Sequence, residues 1–515
     1  MIRTSAFAIV LTLSSAALAQ KDAPAGDVPT NEQKAEAPKP NPDQIKASVE
    51  EDAQPVQRSI PFHGRTLAYT VTPGHLTIRN DKGEPLASMF YVAYTIPERG
   101  VRRPVTFLFN GGPGSSTMWL HMGSFGPMKV DASIPETIPG PPFRYGPNPD
   151  TLLDVSDLVF IDAPTTGLSR ELGKTEPKDL FGVDHDLDAF TRTIERYLTK
   201  YQRWNDPKFI IGESYGTTRA AGLSDKLLDA GVQLNGITFM STVFNFADLF
   251  GGEQSLIGFL PTYAADAWYF GKIPGKPPLE EFLQQARDFA SGPYATALQK
   301  GNMLSDAEKQ SVAEQMAHFT GLSVDYILKS NLRVDPTRFR RELLRDRHEI
   351  IGRIDSRYVG TEPDNIGDSA DYDPQGSAIT GAFVGALNDY LFRDLGYRTP
   401  LTYRPNNYGG IGNDWDVTHN SSEGKQAIVN TGVDLADAMR QNPRMKVLSV
   451  NGIYDLATPF HGAEYEFEHM ALEPQLQANV RYEYYPAGHM MYVDPVSAHK
   501  LKADLAAFYA SALAR

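Results

Sequence analysis

Gly212-Glu213-Ser214-Tyr215-Gly216 stands between the apolar run Lys208-Phe209-Ile210-Ile211 and a stretch of helical pattern. A strand that must become a helix across a G-x-S-x-G leaves the backbone few options. The two glycines admit a strained turn that lifts the serine hydroxyl above the sheet edge. The helix behind it aims free N–H groups, and the positive end of its dipole, at the same spot. The pattern predicts a nucleophile elbow at Ser214 and suggests a serine hydrolase.

The flanking sequence fits such a sheet. Short apolar runs at Val105–Phe109, Leu158–Ile161, Phe209–Ile211, Ile237–Met240 and Val447–Val450 alternate with helical patterns near 184–203, 215–230 and 423–441. This alternation predicts an α/β fold with a mostly parallel sheet covered on both faces. Ahead of it, Thr66–Thr72 and Leu86–Tyr94 read as antiparallel strands joined through turns at Gly74, Asn80 and Gly83. A last strand near Val480–Tyr484 precedes a helix at about 495–513. Residues 248–400 break the rhythm with helical patterns near 278–290, 305–319, 335–349 and 377–393. They read as a helical cap inserted between two strands, so the catalytic domain is split into 59–247 and 401–515.

Residues 1–19 have the pattern of a secretory signal peptide: Arg3, an apolar stretch from Ala6 to Leu13, and Ala17-Leu18-Ala19 as a cleavage site after Ala19. Residues 20–58, rich in Ala, Pro, Lys, Glu and Asp, read as a disordered linker. The chain contains no cysteine. It is therefore expected to be periplasmic or secreted, without disulfides and without a membrane anchor. A formal net charge of −14 argues against nucleic acid as a partner.

A serine nucleophile needs a base, and the base needs an orienting acid. In elbow-bearing hydrolases they follow in the chain order Ser, acid, His. Asp455 lies just after the strand Val447–Val450, where α/β sheets keep their sites. His489 lies between the last strand and the last helix. Ser214, Asp455 and His489 are thus the expected catalytic residues. Asn110-Gly111-Gly112-Pro113-Gly114 follows another strand, and a turn of this kind can aim an N–H into the site. Gly112 and Tyr215 are the expected oxyanion hole. Asp434 and Asp437 read as solvated, Asp184 and Asp186 as helix-start acids, and the acidic run Asp364 to Asp373 as a solvated loop. No metal-ligand cluster is found, and neither a metal nor an organic cofactor is expected.

Four segments in order resemble the serine carboxypeptidase family (peptidase family S10): Asn110–Ser116, Ile161–Pro164 with Gly167–Ser169, Gly212–Gly216, and Gly488–Met490. The resemblance implies an α/β-hydrolase fold and release of C-terminal residues from peptides, best at acidic pH. It implies that Asn110, Gly111 and Glu213 hold the free carboxylate of the substrate, and that Gly112 and Tyr215 supply the oxyanion hole. Two positions depart from the pattern. Ser115 stands where the family usually has a cysteine. Ser124 stands where many members have a second carboxylate-binding glutamate.

The expected partner is a peptide with a free C-terminus. An esterase or acyltransferase on the same scaffold is the alternative. Glu213 argues against it, because an acid beside the nucleophile suits a substrate ending in a carboxylate. A non-catalytic binding protein is disfavoured by the intact Ser214, Asp455 and His489.

Overall fold

The computed structural model describes residues 46–97, 102–132 and 140–514. Its centre is a twisted sheet of nine main strands: β1 Val56–Phe62, β2 Arg65–Arg79, β3 Pro85–Thr95, β4 Val105–Phe109, β5 Asp157–Ile161, β6 Lys208–Glu213, β7 Gly236–Met240, β8 Lys446–Gly452 and β9 Val480–Tyr485. The order is β1-β2-β3-β5-β4-β6-β7-β8-β9, and a two-residue strand, Arg170–Glu171, pairs beside β3. The strands β1 to β3 are antiparallel, and β3 meets β5 antiparallel. From β5 to β9 every pairing is parallel. The strands β4 to β7 are buried at every residue. Near-continuous apolar strands are what a parallel sheet covered on both faces requires.

Two apolar cores cover the two faces. The helices α1 Val183–Lys200, α2 Tyr215–Asp229 and α7 Gly432–Gln441 place their buried residues in one of them. The helix α8 Pro495–Leu513 closes the other. Its start is fixed by Asp494, whose carboxylate accepts Ser497 N–H at 2.8 Å. The expected interruption of the sheet is present. The chain leaves β7, runs through mostly helical structure, and returns at β8, directly beside β7.

That insertion has two parts. The helices α3 Gly252–Tyr269, α4 Leu279–Phe289 and α5 Asp306–Thr320 build a third core with Ile453, Tyr454 and Leu456 of the loop after β8 and with Phe460, which opens the helix that follows that loop. The helix α6 Pro374–Asn388 instead sends Ile379, Ala382, Phe383 and Leu387 into a core of the central sheet. The insertion is therefore joined to the loops at the sheet edge by shared apolar burial. Among the described residues no helix is long and apolar enough to cross a membrane.

Several expectations change. The signal segment 1–19 lies outside the described residues, as does the linker up to 45. Residues 49–58 are packed on the sheet and are not a linker. Ala53 bridges Gly74, Glu51 takes Arg196 at 2.7 Å and Lys200 at 3.2 Å, and Asp52 takes His75 at 2.9 Å. The charges that suggested solvation are ion-pair partners. Gly74 is no turn. The strand β2 runs through it, because a Cβ there would lie 2.4 Å from Asp52 O and 3.0 Å from Ala53 Cα. The helix expected at 423–441 begins only at Gly432, after a hairpin of His419–Ser421 with Gly424–Gln426. The pattern near 335–349 yields a short helix, Pro336–Glu342, and then a strand, Glu349–Ile351.

Gly74→Ala should destabilise the protein by about 1–3 kcal/mol, because the added methyl meets backbone that cannot give way cheaply. The measurement is a urea midpoint that falls at an unchanged slope. At an open turn the same change would be neutral or slightly stabilising.

Candidate active site

The turn from β6 into α2 has the strained form that the sequence predicts. Ser214 has φ +62° and ψ −131°, a region that non-glycine residues rarely occupy. Its N–H donates to Met240 O at 3.0 Å, and its carbonyl accepts from the Thr217 N–H and hydroxyl, both at 2.7 Å. The side chain is left partly exposed. Both glycines are required by close approach. A Cβ on Gly212 would lie 2.0 Å from Gly216 O, and one on Gly216 would lie 2.9 Å from Phe109 O.

Asp455 and His489 meet as expected. Asp455 Oδ2 lies 2.7 Å from His489 Nδ1. The carboxylate is fully buried and also accepts Ala457 N–H at 2.7 Å, Thr458 N–H at 3.0 Å and the Thr458 hydroxyl at 2.8 Å. With every one of these bonds accepted by the acid, the ring carries its proton on Nδ1 and turns Nε2 away from Asp455. Burial disfavours the charged ring, but the Asp455 charge, its hydrogen bond and Glu213 outweigh this and hold the imidazole above its ordinary pKa. Ser214, Asp455 and His489 follow β6, β8 and β9, so all three lie at the carboxyl edge of the parallel part of the sheet.

The Asn110–Gly114 turn lies against the elbow. A Cβ on Gly111 would meet Tyr215 N at 2.4 Å, Gly216 N at 2.5 Å and Glu213 O at 2.7 Å. Gly112 has φ +110°, so its conformation also favours glycine. The start of α2 therefore packs directly on the Gly111 backbone of this turn. Asn110 is buried; its side-chain oxygen accepts Leu120 N–H at 3.0 Å, and its amide acts on Glu213. Glu213 is 3% exposed, and its Oε2 has no hydrogen-bond partner. Burial raises its pKa to about 7, against the pull of His489, the Tyr492 hydroxyl and the Asn110 amide.

Ser115 and Ser124 are both buried and face local backbone: Ser115 Oγ donates to Ser116 O at 3.1 Å, and Ser124 Oγ to Leu120 O at 2.6 Å. Asp162, in the Ile161–Pro164 segment, is a structural anchor. It accepts Thr117 N–H at 2.9 Å and the Tyr403 hydroxyl at 3.1 Å, and a Cβ on Gly167 would collide with its carboxylate.

The sequence reading missed three supports. Ser241, just after β7, donates its N–H to Val450 O at 2.9 Å and its hydroxyl to His489 O at 2.7 Å. A serine at the end of a buried strand was the available signal. The second support comes from the insertion. Ile354 O accepts His489 N–H at 2.7 Å, Arg353 O accepts Leu456 N–H at 3.0 Å, and Asp355 accepts Gly488 N–H at 3.1 Å. This strap ties the acid loop to the histidine loop, and no sequence signal pointed to it. The third is Arg219, 1% exposed, whose guanidinium holds Asp186 at 2.7 Å and Asn110 O at 2.7 Å. Asp186, in the first turn of α1 as expected, is also a buried ion-pair partner. Asp184 pairs with His419 at 2.6 Å, and Asp434, expected to be solvated, is buried against the same ring at 2.9 Å. Asp373, expected in a solvated loop, caps α6 through Gly376 N–H at 2.9 Å.

Residues 62–247 match the family model described as serine carboxypeptidase. The pheromone-processing carboxypeptidase KEX1 of Saccharomyces cerevisiae is 31% identical over 136 residues, a match covering 25% of this chain. The chain spans only 17% of the length of that curated relative. The crystal structure of a KEX1 prohormone-processing carboxypeptidase from the same yeast superposes with a TM-score of 0.52 at 13% identity, covering 85% of this chain and 91% of that one. This likeness shows the α/β-hydrolase fold. A proline iminopeptidase structure from Mycobacterium smegmatis matches at a TM-score of 0.36 and 13% identity, over 85% and 98% of the two chains.

Gly111→Ala should leave the protein folded but push the Asn110 turn off the elbow. Labelling of the nucleophile by a fluorophosphonate should slow on the order of 100-fold, because a small misplacement of donors is costly in rate. Labelling at the wild-type rate would show that the turn does not set the site.

Proposed function

Residues 62–247 belong to the serine carboxypeptidase family, and on that premise we propose that the chain is an exported serine carboxypeptidase. The observation that carries the reading is the buried Asp455–His489 pair beside an elbow whose preceding residue is a buried acid, Glu213. Ser214 Oγ attacks the carbonyl carbon of the last peptide bond, and His489 Nε2 takes its proton. Asp455 holds the opposite N–H and stabilises the imidazolium. The Gly112 and Tyr215 amides donate to the oxygen that becomes negative. As the intermediate collapses, His489 gives its proton to the departing amino acid. Water, activated by the same ring, then releases the acyl group from Ser214.

Asn110, Gly111 and Glu213 are the seat of the terminal carboxylate in this reading. Two carboxylates facing each other in a buried site repel, so one proton must lie between them. The raised pKa of Glu213, about 7, supports this role. Glu213 and His489 act on each other, and their titration belongs to the pair. The productive form carries one proton, on Glu213, and leaves Nε2 free to act as base. A second proton disables the base at low pH. Loss of the shared proton weakens carboxylate binding as pH rises through about 7. Export and cleavage after Ala19 are part of the same proposal, giving a periplasmic or secreted enzyme that acts on peptides.

Ser214→Ala and His489→Ala should each lower kcat by roughly 10⁴-fold or more, and the double variant by little beyond either, because the residues act as a unit. Steady-state assays on a peptide with a free C-terminus test this. Additive losses, or fluorophosphonate labelling at another serine, would remove Ser214 from the role.

Glu213→Gln should flatten the alkaline fall of kcat/KM on peptides, which is expected to arise chiefly in KM. Hydrolysis of a small ester should be little changed. An unaltered pH profile on peptides would remove Glu213 from carboxylate binding and favour the esterase alternative.

A further inference from the structure

Two polar atoms beside the elbow are buried without a partner: Glu213 Oε2 and the hydroxyl of Tyr492. Their residues are 3% and 1% exposed. Each such atom is destabilising when it makes no hydrogen bond, and folded proteins keep few of them. Tyr492 lies in the single turn Met491–Val493 that follows His489. Its ring is fixed by close packing. A Cβ on Gly123 would lie 2.7 Å from Tyr492 Cε2 and 2.8 Å from Phe383 Cε1, so only glycine leaves room for that ring. The hydroxyl is close enough to Glu213 and the Asn110 side chain to interact with both.

The phenol, the Asn110 side chain and the Glu213 carboxyl thus act on one another in the residues around the elbow. A group with two acceptor oxygens and one shareable proton satisfies all of them, and a carboxylate is such a group. Ser124 offers nothing here, because its hydroxyl is held by Leu120 O at 2.6 Å. We propose that the Tyr492 hydroxyl donates a hydrogen bond to the terminal carboxylate of the substrate, completing the seat formed by Asn110 and Glu213. Burial holds the phenol well above its ordinary pKa, so it stays a neutral donor. It adds a hydrogen bond without adding a second negative charge. The inference rests on the carboxypeptidase reading and names a binding residue that reading lacks.

Tyr492→Phe removes the oxygen and keeps the ring on Gly123 and Phe383. Three substrates test it: a peptide with a free C-terminus, the same peptide amidated, and a small acetate ester. KM for the free-acid peptide should rise about 10-fold or more, the scale of one hydrogen bond to a charged group, with kcat within about twofold. The amide and the ester should be unaffected. Equal losses on acid and amide, or no change on either, would overturn the role of Tyr492. A wild-type enzyme that does not distinguish acid from amide would instead overturn the carboxypeptidase reading. A wild type that distinguishes them, with an unchanged Phe variant, overturns Tyr492 alone.

Discussion

The site depends on one constraint: three backbone segments are packed so closely around Ser214 that only glycine fits at their contacts. Gly212 lies on Gly216 O, Gly216 on Phe109 O, and Gly111 on the Tyr215 amide. The strained torsions of Ser214 cost on the order of 1–3 kcal/mol, and they persist because the surroundings over-determine them. The strain has a direct product. It leaves the hydroxyl partly exposed at the start of α2, beside the amides of Tyr215 and the Asn110 turn. Strand packing, helix position and the reactive oxygen are thus one structural fact, and none can shift alone.

The other two chemical groups sit on separate loops, so their placement needs ties between chain segments far apart in sequence. Met240 and Ser241 provide one set. They bond to the Ser214 amide, to Val450 and to the His489 carbonyl, linking the three loops through the end of β7. The strap from Arg353 to Asp355 provides the second, holding the acid and histidine loops together from the other side. The strap belongs to the insertion, whose helices share a core with Tyr454 and Leu456. Folding of the insertion is therefore coupled to the geometry of Asp455 and His489. A cap that only covered a cleft would not need those bonds.

The chain order of Ser214, Asp455 and His489 could be read in the sequence because each follows a strand with a clear apolar pattern. The elbow was legible for a stronger reason: its glycines answer a local backbone demand that does not depend on distant residues. What could not be read depends on tertiary partners. Gly74 looked like a turn because its close neighbour, Asp52, is 22 positions earlier and not a strand residue. Glu51 and Asp52 looked solvated because their partners, Arg196 and His75, are remote. Asp186 was legible only as a helix-start acid, because its buried partner Arg219 lies 33 positions later. The helix α3 was missed because it is buried along one long stretch of its length and has no clean apolar stripe. The orphan hydroxyl of Tyr492 leaves no sequence trace at all, since a buried tyrosine usually finds a partner.

In the proposed reading, a chain of net charge −14 captures a carboxylate against its own long-range field. Exposed positive charge would be screened beyond about 8 Å at physiological ionic strength, so it offers weak help at a distance. Short-range hydrogen bonds in a buried site escape that screening, and low local polarity strengthens them. The residues around Glu213 fit this solution. Asn110 and Tyr492 are neutral donors, and Glu213 is held near pKa 7 so that it too can be neutral. A lysine or arginine in the same place would attract the carboxylate more strongly. It would also oppose protonation of His489, which must become positive as Ser214 attacks. Neutral donors and one shared proton would hold a terminal carboxylate while leaving the imidazolium uncontested, and in the proposed reading this reconciles an acidic protein with an anionic substrate.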